Sequence, residues 1–184
     1  MVAYLVAGDP DISTTLELMH QFVLSGVDII ELGVPFTDPI AEGPIIQAAH
    51  DRALQANTSL DMIFSLVEEF RSKDSETPVI LMGYINTFLA NSKALESIHE
   101  RGTDAVLIVD VPGESSLEDI GIQNKNIASI SLISPTTDND RIQKICMSSS
   151  GFIYYVTLRG VTGASNLNED EIQKNILNIR NSTN

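Results

Sequence analysis

Cysteine is almost absent. Cys146 stands alone among 184 residues, which excludes an intrachain disulfide. Positive charge is also scarce: 11 Lys and Arg face 25 Asp and Glu, a formal net charge of −14. Such a surface repels nucleic acid and anionic membranes. It still admits a small anionic substrate, because backbone N–H groups can hold a phosphate without lysine. No apolar run is long enough to cross a bilayer. No charged leader followed by an apolar core opens the chain, so a cytoplasmic protein is expected. Cys and His do not fall at zinc-binding spacing, so no metal is expected. A Walker loop and a dinucleotide fingerprint are both missing, since Gly160-Val161-Thr162-Gly163 lacks the spacing and the lysine. Neither an internal repeat nor a linker breaks the chain, so residues 1–184 are expected to form one domain.

What is present is an alternation of apolar runs and helical patterns. Strands are expected over residues 2–6, 28–32, 78–82, 105–109, 128–133 and 152–156. Thr14 and Glu17 have capping-box spacing, ahead of a helix carrying Leu16, Met19, Phe22 and Val23. Pro44 suits the first turn of a helix with Ile46, Ala49 and Ala53 on one side. Thr58 or Ser59 opens the next, with Met62, Ile63, Leu66, Val67 and Phe70 on its apolar face. Further helices are expected over 92–101, weakly over 115–124, from a cap at Asp138 with Ile142, Ile145 and Cys146 inward, and over 168–180. The strand interiors are continuously apolar, as in parallel strands covered on both faces. A doubly wound sheet and part of a (β/α)8 barrel both satisfy this order. In either, the loops that follow the strands gather on one side, where chemistry usually sits.

The densest stretch for chemistry is Asp28–Pro44, DIIELGVPFTDPIAEGP. Glu31 ends an apolar run, and the loop after it carries Asp38 and Glu42. A carboxyl desolvated among Ile29, Ile30 and Leu32 holds its proton more tightly and can serve as an acid near neutral pH. Glu42, on the loop, is expected to stay ionised, so the two carboxyls could divide acid and base roles. Tyr84 and Asp110 follow the next two strands on the same side. His20, His50 and His99 all fall on expected helices and read as structural or surface residues. Cys146 reads as core.

Glu31-Leu32-Gly33-Val34-Pro35-Phe36-Thr37-Asp38-Pro39-Ile40-Ala41-Glu42-Gly43-Pro44 strongly resembles the signature of the tryptophan synthase alpha subunit family. Shorter matches follow in the family's order: Ala7–Pro10, Met82–Asn86, Val109–Pro112, Ser134–Thr137 and Gly160–Gly163. The resemblance implies a (β/α)8, or TIM, barrel. It implies cofactor-free retro-aldol cleavage of indole-3-glycerol phosphate to indole and glyceraldehyde 3-phosphate, in tryptophan biosynthesis. It also implies an alpha2beta2 assembly with a beta subunit that holds the pyridoxal phosphate. By the same resemblance Glu31 is the acid–base residue, and Glu42, where the family usually has Asp, polarises the indole N–H. Tyr84, Leu107, Val109 and Tyr154 would line the indole pocket. Thr162 would lie in the closing loop, Gly163 would offer its N–H to the phosphate, and Pro35 and Asp38 would face the beta subunit.

Two departures from the family pattern stand out. Strand one begins at Val2 with no helix before it, and members continue past position 184 into strands seven and eight. About six βα units are therefore expected to form an incomplete, open barrel. The alternative function on this reading is a non-catalytic remnant that only binds the beta subunit.

Overall fold

A computed structural model describes residues 1–91, 95–124, 126–157 and 169–183. Six strands form one sheet in sequential order: β1 (Val2–Val6), β2 (Ile29–Gly33), β3 (Val79–Gly83), β4 (Ala105–Ile108), β5 (Ala128–Ile133) and β6 (Ile153–Tyr155). Every neighbouring pair is parallel. The helices are α1 (Ile12–Leu24), α2 (Pro44–Gln55), α3 (Leu60–Arg71), α4 (Ile85–Leu89), α5 (Asn139–Ser148) and α6 (Glu169–Arg180). Sequential parallel order is the order of a (β/α)8 barrel, and a doubly wound sheet would reverse direction at a switch point.

Strand alternation divides the apolar residues between two faces. Ile30, Leu32, Val79, Leu81 and Val106 join a core with Met19 of α1 and with Ile63, Phe64, Val67 and Phe70 of α3. Each fully buried side chain of this kind contributes about 1.5–3 kcal/mol. Ile80, Ala105, Leu107 and Ile130 form a smaller cluster on the other face, with Met82, Val109 and Leu132 against it. On β1, Tyr4 and Val6 pack against Ile46, Ala49 and Ala53 of α2.

Several local expectations are corrected. Asp11, not Thr14, caps α1, because its carboxylate accepts the Thr14 N–H at 2.7 Å and starts the helix a turn earlier. Ser59 caps α3, accepting the Met62 N–H at 3.3 Å, and Met62 itself is exposed. Of the helix expected over 92–101, residues 92–94 lie outside the described residues, Leu95 is helical and 96–101 wind as turns, with Leu95 and Ile98 in the core. Residues 115–124 hold no regular helix, only turns over 117–121: Asp119 takes the Ser116 N–H and O–H at 2.9 Å each, and Gly121 has φ 84°. Such side-chain bonds compete with helix formation. Asp138 caps α5 as expected, accepting the Arg141 N–H at 2.8 Å.

Candidate active site

Glu31 lies mid-strand, level with Tyr4 of β1 and Ile80 of β3. It is only 4 % exposed, and Oε1 has no hydrogen-bond partner among the described residues. Burial, with the Glu42 charge adding to it, pushes its pKa up to about 7. A carboxyl so placed is protonated for much of the neutral range and can still give the proton up.

Glu42 is buried as well, and burial raises its pKa above the usual carboxylate range. Its burial is not what a loop position suggests, and it makes ionisation harder than in water. The loop from Val34 to Gly43 is tied down at both ends. The Phe36 N–H donates to His50 Nδ1 at 3.2 Å, and the Ala41 N–H donates to the Tyr84 hydroxyl at 3.0 Å. The Phe36 ring stacks on Tyr84 at 4.7 Å and 18°. Gln47 Nε2 reaches the Glu42 carbonyl at 2.9 Å, and Pro44 then starts α2 with its missing N–H at no cost.

Tyr84 is therefore nearly fully buried, with its hydroxyl engaged by the loop backbone. Asp110 accepts the Ile85 N–H at 2.8 Å and so satisfies the start of α4. Leu107 and Val109 belong to the apolar cluster on the Glu31 side of the sheet. Tyr154 pairs with Leu132 across β5 and β6, and its phenol pKa is raised by burial and then by Glu31 and Glu42. Tyr154, 39 % exposed, thus feels the charge of both carboxyls from a strand four places along the sheet. Asp38 and Ile40 are exposed at the loop tip, whereas Pro35 is buried beneath it. Thr162 and Gly163 lie outside the described residues.

Two side chains were not singled out by sequence. Tyr4 sits beside Glu31, and burial, then Glu42 and Glu31, push its phenol pKa strongly upward. His50 is 2 % exposed on the same side of α2 as Ala49 and Ala53, and burial lowers its pKa. Strand alternation would have found Tyr4, and the helical spacing Ile46, Ala49, His50, Ala53 would have turned His50 inward. A groove of about 840 Å³ lined by Cys146, Phe152, Ile176 and Ile179 has no carboxylate among its described lining residues. Both buried carboxyls, Glu31 and Glu42, lie outside it.

Gly33 keeps this arrangement compact, since a Cβ there would collide with the Tyr4 phenol. Gly33→Ala is expected to destabilise by about 1–3 kcal/mol, as for other overpacked cores. Urea unfolding checks it, and an unchanged midpoint would show that Tyr4 is not held against β2.

The geometry can be set beside known proteins. The chain matches the model of the tryptophan synthase alpha chain family over residues 1–184. The chain belongs to that family. It is 46% identical over 186 residues to the tryptophan synthase alpha chain of Nitrosococcus oceani, covering 100% of this chain and 69% of that protein. Its fold superposes on the alpha subunit of Legionella pneumophila with a TM-score of 0.86 at 38% identity, covering 99% of this chain and 68% of that one. A chain from the tryptophan synthase α2β2 complex of Pyrococcus furiosus gives a TM-score of 0.86 at 34% identity, covering 100% and 74%. The six strands are thus an open part of the TIM barrel that this family shares. Family membership makes the protein a lyase of tryptophan biosynthesis.

Proposed function

We propose that Glu31 and Glu42 carry out the retro-aldol cleavage of indole-3-glycerol phosphate. The observation that carries this reading is the buried Glu31 carboxyl, with Oε1 unpartnered among the described residues, under the charge of a second buried carboxyl. Glu31 gives its proton to C3 of the indole ring. The resulting indoleninium draws electrons from the bond between C3 and the glycerol chain. The Glu31 carboxylate left behind takes the proton of the adjacent glycerol hydroxyl, that bond breaks, and an aldehyde and indole are left, with Glu31 protonated again. Glu42, ionised, accepts a hydrogen bond from the indole N–H and so supports the positive charge that develops on the ring.

Leu107, Val109, Tyr84 and Tyr154 supply the apolar and aromatic wall for the indole. Thr162 and Gly163 are assigned to the closing loop and the phosphate. The step needs no cofactor, because the protonated ring itself accepts the electrons. Pyridoxal phosphate belongs to the beta subunit that receives the indole. The solved α2β2 complex of the Pyrococcus furiosus relative supports a beta partner here. Asp38, beside the exposed Ile40, is the accessible part of the surface offered to it, with Pro35 supporting the loop from below. The cytoplasm is the compartment where these metabolites are handled. A protein kept only to bind a beta subunit would have no use for two desolvated carboxyls, so the catalytic reading is favoured.

The test is indole release from indole-3-glycerol phosphate, with and without the beta subunit. Glu42→Ala is expected to lower turnover by about 10²-fold, the lower range for loss of one electrostatic or acid–base group. Wild-type turnover by Glu42→Ala would remove Glu42 from the mechanism.

A further inference from the structure

His50 takes part in none of the steps above, yet it touches both of the elements that frame the carboxyls. Its Nδ1 lies 3.2 Å from the Phe36 N–H, which can only donate. Its Nε2 lies 3.5 Å from the Tyr4 hydroxyl. A neutral imidazole has one donor and one acceptor, so the Phe36 contact assigns the proton to Nε2. Nε2–H then donates to Tyr4 Oη. The phenol's own proton is then directed away from His50, and Tyr4 stands level with Glu31 on the neighbouring strand.

We propose that His50 is a positioning residue for this site: Nδ1 holds the loop that carries Glu42, and Nε2–H turns the Tyr4 hydroxyl proton toward the two carboxyls. The proposal rests on the reading that Glu31 and Glu42 perform the reaction. Three separate elements, β1, the Val34–Gly43 loop and α2, meet in this one ring. The loop is held again by Tyr84 on Ala41, so loss of the His50 tether frees one end and leaves the other fixed. The Tyr4 side is different. His50 sets the direction of an O–H that faces the reacting region, and a misdirected donor there affects turnover more than binding.

The two contacts can be separated by substitution. In His50→Asn the amide oxygen can stand near Nδ1, which keeps the Phe36 bond and loses the donor to Tyr4. In His50→Gln the longer amide can reach Tyr4 and loses the Phe36 bond. The assay is indole release from indole-3-glycerol phosphate by the full chain. Tyr4→Phe and His50→Asn are each expected to lower kcat about tenfold with KM within about twofold. The double variant is expected to be no worse than either single, because both remove one interaction. His50→Gln is expected mainly to raise KM. Imidazole ¹⁵N shifts of the unmodified protein at pH 7 give a check that needs no variant: Nδ1 bare and Nε2 protonated.

A protonated Nδ1 overturns the proposal, as do kcat losses that add in the double variant. If Glu31→Gln is inactive while His50→Asn and Tyr4→Phe are normal, the His50 role falls and the carboxyl chemistry stands. If Glu31→Gln is fully active, the carboxyl chemistry falls and takes the proposal with it.

Discussion

Glu31→Gln is expected to lose turnover by about 10²–10⁴-fold while the fold becomes more stable at pH 8. The two effects have one cause. Burial and the Glu42 charge raise the Glu31 pKa to about 7, above the ordinary value of 4.5. Between those two values the folded state binds more protons than the unfolded state. Stability therefore declines as pH rises through that window, and the penalty is complete above pH 7. At about 1.4 kcal/mol per pH unit, the full penalty is on the order of 3 kcal/mol. Glutamine has the same shape and no charge, so it escapes the penalty. Its amide still lies where Oε1 lacks a partner, which offsets part of the gain. Urea unfolding should show Glu31→Gln ahead by about 1–3 kcal/mol at pH 8 and level with the parent below pH 4.5. Equal stability of the two at both pH values would mean that Glu31 is not desolvated.

Arg71→Ala is expected to be the most damaging change away from the site. Arg71, at the end of α3, donates Nε–H to the Gly102 carbonyl at 2.8 Å and Nη1–H to the Thr77 carbonyl at 2.8 Å. Nη2 pairs with Asp104 at 2.6 Å, and the same Asp104 oxygen accepts the Val79 N–H at 2.7 Å. One guanidinium thus fixes the entries to β3 and β4, at the end of the sheet opposite Glu42. Its side chain is 17% exposed, so the truncation leaves carbonyls poorly served by water, while Asp104, 47% exposed, stays solvated. About 2 kcal/mol should be lost, chiefly from the carbonyls left without a donor rather than from the half-exposed ion pair. Arg71→Lys should recover little of it, since an ammonium cannot reproduce the planar fork. Thermal or urea unfolding measures both variants. A loss under about 1 kcal/mol for Arg71→Ala would place the network in the weak class of surface pairs.

The strands were readable because each is a continuous apolar run between turn residues, and all six appear within about a residue of their expected ends. Glu31 was readable for the same reason: a carboxyl inside such a run must be buried. Glu42 was not. A loop bounded by prolines and glycine looks solvated in sequence, and its burial comes from tethers to His50 and Tyr84 that are 14 and 43 residues from their loop partners. Residues 115–124 were misread because helical spacing says nothing of Asp119 capturing the Ser116 backbone. Met62 had the right spacing for the α3 face but sits in the first turn, outside the packed stripe. His50 had the right spacing too, and only the folded chain shows that both ring nitrogens are engaged.

Titration of the Glu31 side-chain carboxyl by ¹³C NMR bears most directly on whether a buried, proton-holding glutamate stands at the heart of this enzyme. A midpoint near 7, moving downward in Glu42→Gln as the neighbouring charge is removed, is the expected result. A midpoint at the ordinary 4.5, unmoved by Glu42→Gln, would contradict it.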